Sequence, residues 1–278
     1  MLKKKLPFIS PAAALDESKT IGGNLSFAAS EAYKLLRTNL LFSLPDNNKC
    51  RVVGITSSIQ GEGKSTTAIN LAYTIAETNK KVLLLEADLR RPSIARRLGI
   101  NSTPGISNFL AGFNEFNEVL QSALLNNLKI ITAGDIPPNP TELLDSSAMA
   151  QTVEKLAEVF DFIIIDLPPI NLVSDALVAG KYVDGIVFIV RQNYNSRQSL
   201  DDAINQFKFI NTKLLGFVMT GSEVKKKNYK KYGNKYGYYK HGQGYGYGYG
   251  YGYAPSGSGE SGGKKTLLSR VKKALGIK

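Results

Sequence analysis

One nine-residue segment constrains the fold of this 278-residue chain more than any other: Ser58-Ile-Gln-Gly-Glu-Gly-Lys-Ser-Thr66. It follows an apolar run, Val52–Thr56, and opens a stretch whose apolar residues recur at helical spacing. A glycine-rich turn between a strand and a helix directs backbone N–H groups and the helix N-terminus towards a phosphate. Ser58 stands where the pattern has its first glycine, but both later glycines are present. We therefore predict a phosphate-binding loop, named the P-loop below.

The P-loop residues that we assign to nucleotide binding are Gly61, Glu62, Gly63, Lys64, Ser65 and Thr66. The two glycines let backbone N–H groups close around phosphate oxygens. Lys64 would reach the β- and γ-phosphates, and the Ser65 hydroxyl would ligate Mg²⁺. A glycine-rich turn without a ligand is the alternative interpretation, and the strand–loop–helix context favours the phosphate site.

Short apolar runs alternate with helical stretches along most of the chain. Continuous apolar strands separated by helices are typical of a parallel sheet covered on both faces. We predict an α/β fold of the P-loop NTPase type. The predicted strands are Val52–Thr56, Val82–Glu86, Leu128–Thr132, Phe162–Asp166, Gly185–Val190 and Leu214–Met219, and the predicted helices are 27–43, 64–78, 147–159, 174–181 and 197–209.

Two of the predicted strands end on carboxylates. Asp166 closes one apolar run, while Glu86 closes another and is followed by Asp88. Because the carboxyl ends of parallel strands meet at one edge of a sheet, these side chains are expected beside the P-loop. One carboxylate could hold Mg²⁺ while another accepts a hydroxyl proton, as phosphoryl transfer requires. The alternative is that they are ordinary polar residues leaving strands for loops.

Positive charge and tyrosine are concentrated in the last part of the chain. Residues 222–278 hold 13 of the 35 basic side chains and 2 of the 23 acidic ones. Ten of the 14 tyrosines lie within residues 229–253, alternating with glycine and lysine, and this composition cannot bury a core. We predict a flexible N-terminal arm (1–24), a P-loop domain (25–221), a disordered tyrosine-rich tail with linker (222–263) and a basic amphipathic helix (264–278).

The residue counts exclude several classes of protein. A single cysteine, Cys50, rules out a disulfide framework and a cysteine-based zinc site. A single histidine, His241, leaves no second imidazole for a metal site. No apolar run approaches 18 residues, so we expect a cytoplasmic chain that does not itself span a membrane.

The combination of motifs resembles the bacterial tyrosine kinases (BY-kinases). The P-loop is followed by Glu86-x-Asp88-x-Arg90 and by Asp166-x-Pro-Pro, and the tyrosine-rich tail fits as well. Further matches are the segments Ala133–Leu144 and Ser30–Asn39. The resemblance implies an ATP- and Mg²⁺-dependent kinase that phosphorylates its own C-terminal tyrosines and thereby regulates the synthesis or export of capsular or extracellular polysaccharide.

The resemblance also implies roles for individual residues. Lys64, Glu86, Asp88 and Asp166 would be catalytic, with Glu86 as the proton acceptor, and Ser65, Asp88 and Asp166 would hold the metal. Glu31, Lys34 and Arg37 match a motif that joins subunits in a ring, where each tail reaches a neighbour's site. Two departures stand out, since Glu86 replaces an aspartate and Lys34 replaces an arginine. The candidate phosphoacceptors are Tyr229, Tyr232, Tyr236, Tyr238, Tyr239, Tyr245, Tyr247, Tyr249, Tyr251 and Tyr253.

The family further implies a separate transmembrane adaptor that activates the kinase, and a cognate tyrosine phosphatase. We therefore expect the chain at the inner face of the cell membrane, held there by the adaptor. The basic helix predicted at 264–278 could contact anionic lipid directly or dock on a partner protein. We expect no nucleic acid partner.

Two other functions are compatible with parts of the sequence. ATPases of the chromosome-partitioning or septum-placement type share the predicted fold, but they carry a signature lysine where this chain has Ile59, and they lack a tyrosine tail. A non-enzymatic scaffold could use the basic, aromatic tail to bind RNA or polysaccharide machinery. The intact P-loop and the carboxylates favour the kinase.

Overall fold

The computed structural model describes residues 21–44, 49–207 and 212–222. The ten candidate phosphoacceptor tyrosines and the helix predicted at 264–278 lie outside the described residues, as does most of the N-terminal arm.

A seven-stranded sheet forms the centre of the domain, with the strand order β3-β4-β2-β5-β1-β6-β7. All neighbouring strands pair in parallel except β3, a two-residue edge strand that pairs antiparallel with β4. The strands are β1 Arg51–Ser57, β2 Val82–Glu86, β3 Gln121–Ser122, β4 Leu128–Ile131, β5 Phe162–Asp166, β6 Gly185–Arg191 and β7 Leu214–Thr220. The predicted α/β class with a largely parallel sheet is confirmed.

Nine helices lie within the described residues: α1 Phe27–Ser43, α2 Lys64–Ala76, α3 Ile94–Leu98, α4 Ile106–Leu110, α5 Phe116–Val119, α6 Pro140–Asp145, α7 Ser147–Ala157, α8 Asp175–Ala179 and α9 Arg197–Phe207. Buried apolar side chains of the helices and strands form two clusters, one on each side of the sheet. The first includes residues of α7, α8 and α9, and the second residues of α1 and α2. Strands β2 and β5 are buried along their whole length, which accounts for the four consecutive apolar residues that precede the final carboxylate of each strand.

The four residues before the predicted domain boundary, 21–24, are part of the packed structure. Ile21 is buried, and Gly22–Asn24 form a short 3-10 helix. The backbone N–H of Gly22 donates to the side-chain oxygen of Asn70 on α2, at 2.9 Å. Residues 21–24 therefore pack on the domain, although the sequence analysis placed them in the flexible arm.

The parallel pairing brings the carboxyl ends of β1, β2 and β5 together. Asp166 at the end of β5 is in register with Glu86 of β2 on one side and with Ile55 of β1 on the other. The P-loop follows β1 directly, so the sheet delivers the loop and the acidic strand ends to the same edge. None of the helices in the described part of the chain is both long and apolar enough to cross a membrane.

Candidate active site

The P-loop turns from β1 into α2 through two glycines in the left-handed region. Gly61 has φ = 87° and Gly63 has φ = 96°, values that side-chain-bearing residues rarely adopt. Gly63 is the N-cap of α2, so the first N–H groups of that helix are available to a phosphate. A Cβ atom on Gly61 would lie 2.5 Å from the hydroxyl of Tyr194. This position therefore requires glycine for two separate reasons.

Lys64 lies between two of the predicted catalytic carboxylates. Its Nζ is 2.8 Å from Oδ2 of Asp88 and 3.5 Å from Oδ1 of Asp166. Burial lowers the pKa of Lys64, but the nearby carboxylates of Asp166 and Asp88 outweigh it and hold the pKa above its ordinary value. Lys64 is therefore charged and held at the point where the P-loop meets the strand ends.

Asp166 has acceptor capacity that the protein does not use. The side chain is fully buried, and neither carboxylate oxygen accepts a hydrogen bond of normal geometry. Burial raises the pKa of Asp166, while Lys64 opposes that rise. Ser65, the other predicted metal ligand, is also buried beside Lys64. Together with the Ser65 hydroxyl and Asp88, the unused acceptor positions of Asp166 make a set of hard oxygen donors, which fits a magnesium ion.

Glu86 is arranged quite differently from the other two acidic residues. Its Oε1 accepts from the backbone N–H groups of Ser93 and Ile94, the latter at 2.8 Å, and its Oε2 accepts from the N–H of Ala133 at 3.2 Å. The side chain is fully buried. Burial raises the pKa of Glu86, and the hydrogen bonds from Ile94 and Ser93 oppose that rise. The carboxylate thus ties β2 to the start of α3 and the end of β4.

Glu62, a residue of the P-loop, binds other residues of the same loop through its side chain. Its Oε2 accepts from the Ser58 hydroxyl at 2.7 Å and from the N–H of Ile59 at 2.9 Å. Its backbone carbonyl accepts from the hydroxyl of Thr220 at 2.6 Å. The serine at the first P-loop position therefore supplies a donor that a glycine could not, and Glu62 holds the loop's shape from within.

The end of β6 and the loop that follows it hold the P-loop, although the sequence analysis assigned no site residue there. Asn195 donates to the hydroxyl of Ser58, and Arg191 donates to the carbonyl of Gly61 at 3.0 Å. The Arg191 guanidinium also lies over the ring of Tyr194, 4.8 Å from its centroid. No local pattern marks these residues, because their partners are 130 and 137 positions away.

An ion pair between the partly exposed Arg90 and the buried Asp175 anchors the segment after β2. Arg90 donates to both carboxylate oxygens of Asp175, at 2.8 and 3.2 Å, and to the hydroxyl of Thr141 at 3.1 Å. Asp175 is fully buried at the start of α8. Arg90 was matched to a motif in the sequence, whereas Asp175 was not. The pair joins the end of β2 to α6 and α8.

The remaining predicted site residues lie at different distances from this centre. Thr66, on the first turn of α2, accepts from the Arg97 guanidinium at 3.1 Å. Glu31 and Lys34 form a partly exposed ion pair of 2.7 Å within α1. Arg37 donates to the carbonyl of Thr74 at 2.6 Å, so at least part of its guanidinium is used within the chain.

Comparison with known proteins places the chain in a family. Residues 50–217 match a family model described as an AAA domain, consistent with ATP use by the P-loop. The chain is 36% identical over 210 residues to tyrosine-protein kinase YwqD of Bacillus subtilis, covering 76% of this chain and 86% of that protein. It is 33% identical to tyrosine-protein kinase CpsD of Streptococcus agalactiae, over 73% of this chain and 88% of that one.

Solved structures agree with the sequence relatives. The kinase domain of the Escherichia coli tyrosine kinase ETK matches with a TM-score of 0.65 and 31% identity, over 71% of this chain and 78% of that one. The chimerical protein CapA2B2 matches with a TM-score of 0.68 and 30% identity, over 73% and 88%. The cell division ATPase MinD of Pyrococcus furiosus reaches 0.53 at 22% identity, over 63% and 74%, a likeness of fold alone.

The fold and the P-loop define a nucleotide-binding AAA-type domain. Within that class the chain belongs to the bacterial tyrosine-protein kinases and is an enzyme of that kind. The resemblance inferred from the motifs is confirmed, and the septum-placement alternative is the more distant one.

Proposed function

We propose that this chain is an ATP-dependent tyrosine autokinase that phosphorylates its own tyrosine-rich tail in trans and thereby regulates the synthesis and export of capsular or extracellular polysaccharide. The observation that carries the proposal is the placement of Lys64 between Asp88 and Asp166 at the start of α2. Family membership supports the acceptor type, because the relatives are tyrosine-protein kinases.

The site supplies the parts that phosphoryl transfer needs. The acceptor tyrosyl oxygen bonds to the γ-phosphorus while the bond from that phosphorus to the β,γ-bridging oxygen breaks, so ADP leaves and the phenolic proton passes to a carboxylate. The P-loop N–H groups and Lys64 hold the phosphates. Ser65, Asp88 and Asp166 would hold Mg²⁺, which neutralises phosphate charge when bound. The unused acceptors of Asp166 support this assignment.

The tail is proposed as the substrate because of its composition. Ten closely spaced tyrosines among lysines and glycines offer many acceptor registers. Each phosphate adds roughly −1.5 to −2 charges at neutral pH, so full modification would reverse the positive charge of the tail. We expect this reversal to break up the oligomer that Glu31, Lys34 and Arg37 are proposed to form.

The proposed partners follow from the same function. A transmembrane adaptor would activate the kinase and hold it at the inner face of the cell membrane, and a cognate tyrosine phosphatase would reset it. The helix predicted at 264–278, whose pattern would set lysines opposite apolar residues, could add a contact with anionic lipid.

The test is intact mass after incubation with ATP and Mg²⁺, comparing the full chain with Lys64→Met. Stepwise phosphate additions that map to Tyr229–Tyr253 and are absent in Lys64→Met are the expected result. Lys155→Met, at an exposed position of α7, is the matched control and should behave as the unmodified chain. A chain that hydrolyses ATP but leaves every tyrosine bare, with the adaptor's cytosolic segment present, would overturn the proposal in favour of a partitioning-type ATPase.

A further inference from the structure

An apolar groove of about 550 Å³ is lined by residues of α4 and α5 and by residues of α7. Phe109 of α4 and Phe116 of α5 contribute aromatic rings, whose centroids lie 5.7 Å apart in an edge-to-face contact. Leu156 of α7, with Val159 and Phe160 just after that helix, contributes further apolar surface. The volume falls within the range of roughly 300–1,000 Å³ for ligand sites. This feature is named the α4–α7 groove below.

The described residues leave part of this apolar surface uncovered. Leu156 and Phe160 are buried, but Val159 beside them is 59% exposed. Phe113, in the segment that joins α4 to α5, is 79% exposed. Apolar surface that is contiguous with a groove, unlike scattered apolar residues, marks a site of interaction with another molecule.

The helices that form the groove carry negative charge. Four exposed glutamates lie on α5 and α7 or next to their ends: Glu115, Glu118, Glu154 and Glu158. The last two line an adjoining cavity, whose basic residues come from β1 and from the segments before β1 and β2. Among the described residues that line the groove itself, Lys155 is the one with a basic side chain. An occupant with an apolar face bordered by positive charges is therefore complementary to this surface.

One segment of the sequence has that complementary pattern. Residues 264–278 hold six basic side chains and no acidic one. The helix predicted there has five apolar residues on one face: Leu267, Leu268, Val271, Ala274 and Leu275. Insertion of such a face into an apolar groove is a recurring mode of peptide recognition.

We propose that the α4–α7 groove of one copy binds segment 264–278 of another copy of the chain. The inference rests on the proposed function, in which the tail of each copy reaches a neighbour's active site. Tyr253 and Lys264 are 11 positions apart, so at most about 40 Å separates them. A domain of about 200 residues has a diameter of roughly 40 Å. A segment that follows a tyrosine at the neighbour's site therefore reaches the neighbour's surface, and docking there raises the effective concentration of the tyrosines.

The first test is binding of a fluorescein-labelled peptide of residues 264–278, measured by anisotropy. The acceptor is the full chain carrying Leu268→Asp and Val271→Asp, whose own segment has lost its apolar face. Adding Val159→Lys, which places a positive charge at an exposed position of the groove, should weaken binding at least 10-fold. The matched control is Gln198→Lys, which adds the same charge at an exposed position of α9 in a different cavity and should leave affinity within twofold.

The charges around the groove are tested separately. Glu115→Gln combined with Glu154→Gln should weaken peptide binding about fivefold in low salt, because each exposed pair contributes modestly. The difference should shrink as salt is raised, since salt screens exposed charges. Glu118 is kept, because its carboxylate accepts from the N–H of Glu115 at 2.8 Å within α5.

The second test asks whether the contact joins two copies, and uses light scattering of full chains without ATP. The variant Val159→Lys keeps the segment and loses the groove, whereas Leu268→Asp with Val271→Asp keeps the groove and loses the apolar face. Each variant alone should have a lower mean mass than the unmodified chain. An equimolar mixture should recover part of the mass, because the segment of one variant can bind the groove of the other. Gln198→Lys should keep the mass of the unmodified chain.

Three outcomes would overturn the proposal. Peptide binding that Val159→Lys leaves unchanged would place the peptide elsewhere. Equal masses for the unmodified chain and both variants would exclude a contact between copies. Absence of peptide binding, together with binding of the full chain to vesicles of phosphatidylglycerol and phosphatidylcholine, would assign the segment to the membrane. Failure of the proposed function is a different result, because it appears as missing phosphate transfer once ATP is added, whereas these measurements are made without ATP.

Discussion

The substitution Glu86→Gln separates a structural role of this carboxylate from a catalytic one. The amide oxygen of glutamine can still accept from Ser93 and Ile94, but its NH₂ group then faces the N–H of Ala133, which Oε2 of Glu86 now serves at 3.2 Å. A buried donor left without an acceptor costs about 1–3 kcal/mol. We expect the free energy of unfolding to fall by about 2 kcal/mol, which lowers Tm by about 4–8 °C for a domain of this size.

Thermal and urea unfolding followed by far-UV circular dichroism measures this loss. Tryptophan fluorescence is not an option because the chain has no tryptophan. Glu158→Gln makes the same chemical change at an exposed position and should leave Tm within about 1 °C, as surface substitutions generally do. Phosphorylation by Glu86→Gln should persist at temperatures where the variant is folded.

The opposite pattern would refute the reasoning. If Glu86→Gln kept the Tm of the unmodified chain but transferred no phosphate, the carboxylate would serve the reaction rather than the backbone. The role of proton acceptor implied by the family motif would then stand for Glu86, despite its enclosure by three N–H groups.

Three further predictions concern the P-loop and the lone cysteine. Burial raises the pKa of the Cys50 thiol from 9.0 to about 12. Because the thiolate is the reactive form, iodoacetamide at pH 8 should label Cys50 about 1,000-fold more slowly in the folded chain than in the urea-unfolded chain. Fast labelling of the native chain, followed by mass spectrometry, would contradict this. Gly61→Ala places a Cβ 2.5 Å from the Tyr194 hydroxyl and should weaken binding of a fluorescent ATP analogue at least 10-fold. Adding Tyr194→Phe to this variant should restore part of the affinity. Undiminished binding by Gly61→Ala would refute the clash. Ser58→Gly introduces the glycine that the P-loop pattern has at this position and removes the hydroxyl that donates to Glu62. The free energy of unfolding, measured in urea, should fall by about 1 kcal/mol. A gain in stability would count against that contact.

The sequence predicts the central sheet well because its strands are long enough to carry a pattern. Four consecutive apolar residues followed by a carboxylate mark β2 and β5, and the P-loop marks the start of α2. The two-residue strand β3 and the helices α3 to α6, four to six residues each, fall below the length at which a helical or strand period is visible. These elements owe their conformation to tertiary packing.

The partners of the acidic side chains could not be predicted from sequence. Glu62 was assigned to the nucleotide because it lies inside a phosphate-binding motif, yet its carboxylate binds Ser58 and Ile59 within the loop. Glu86 and Asp88 are two positions apart in one motif but have different partners, since Glu86 reaches backbone groups 7, 8 and 47 positions away. A motif specifies which residue types are present, and the fold decides which atoms they contact.

This division among the carboxylates bears on the cation that the site requires. Glu62, Glu86 and Asp175 have their oxygens bound to protein donors. Asp88 and Asp166 share Lys64, and Asp88 also accepts from the N–H of Arg91 through Oδ1 at 3.1 Å. If Lys64 turns to the phosphates of ATP, Asp88 and Asp166 would lose the ammonium group that they share, while a polyanion binds beside them. Buried charges without a partner are costly, so the nucleotide must bring a cation with it. On this reasoning ATP alone should bind far more weakly than ATP with Mg²⁺. In Asp166→Asn the difference between the two affinities should be smaller, because one of the two negative charges is removed. Titration of the ATP analogue with and without Mg²⁺ measures both affinities.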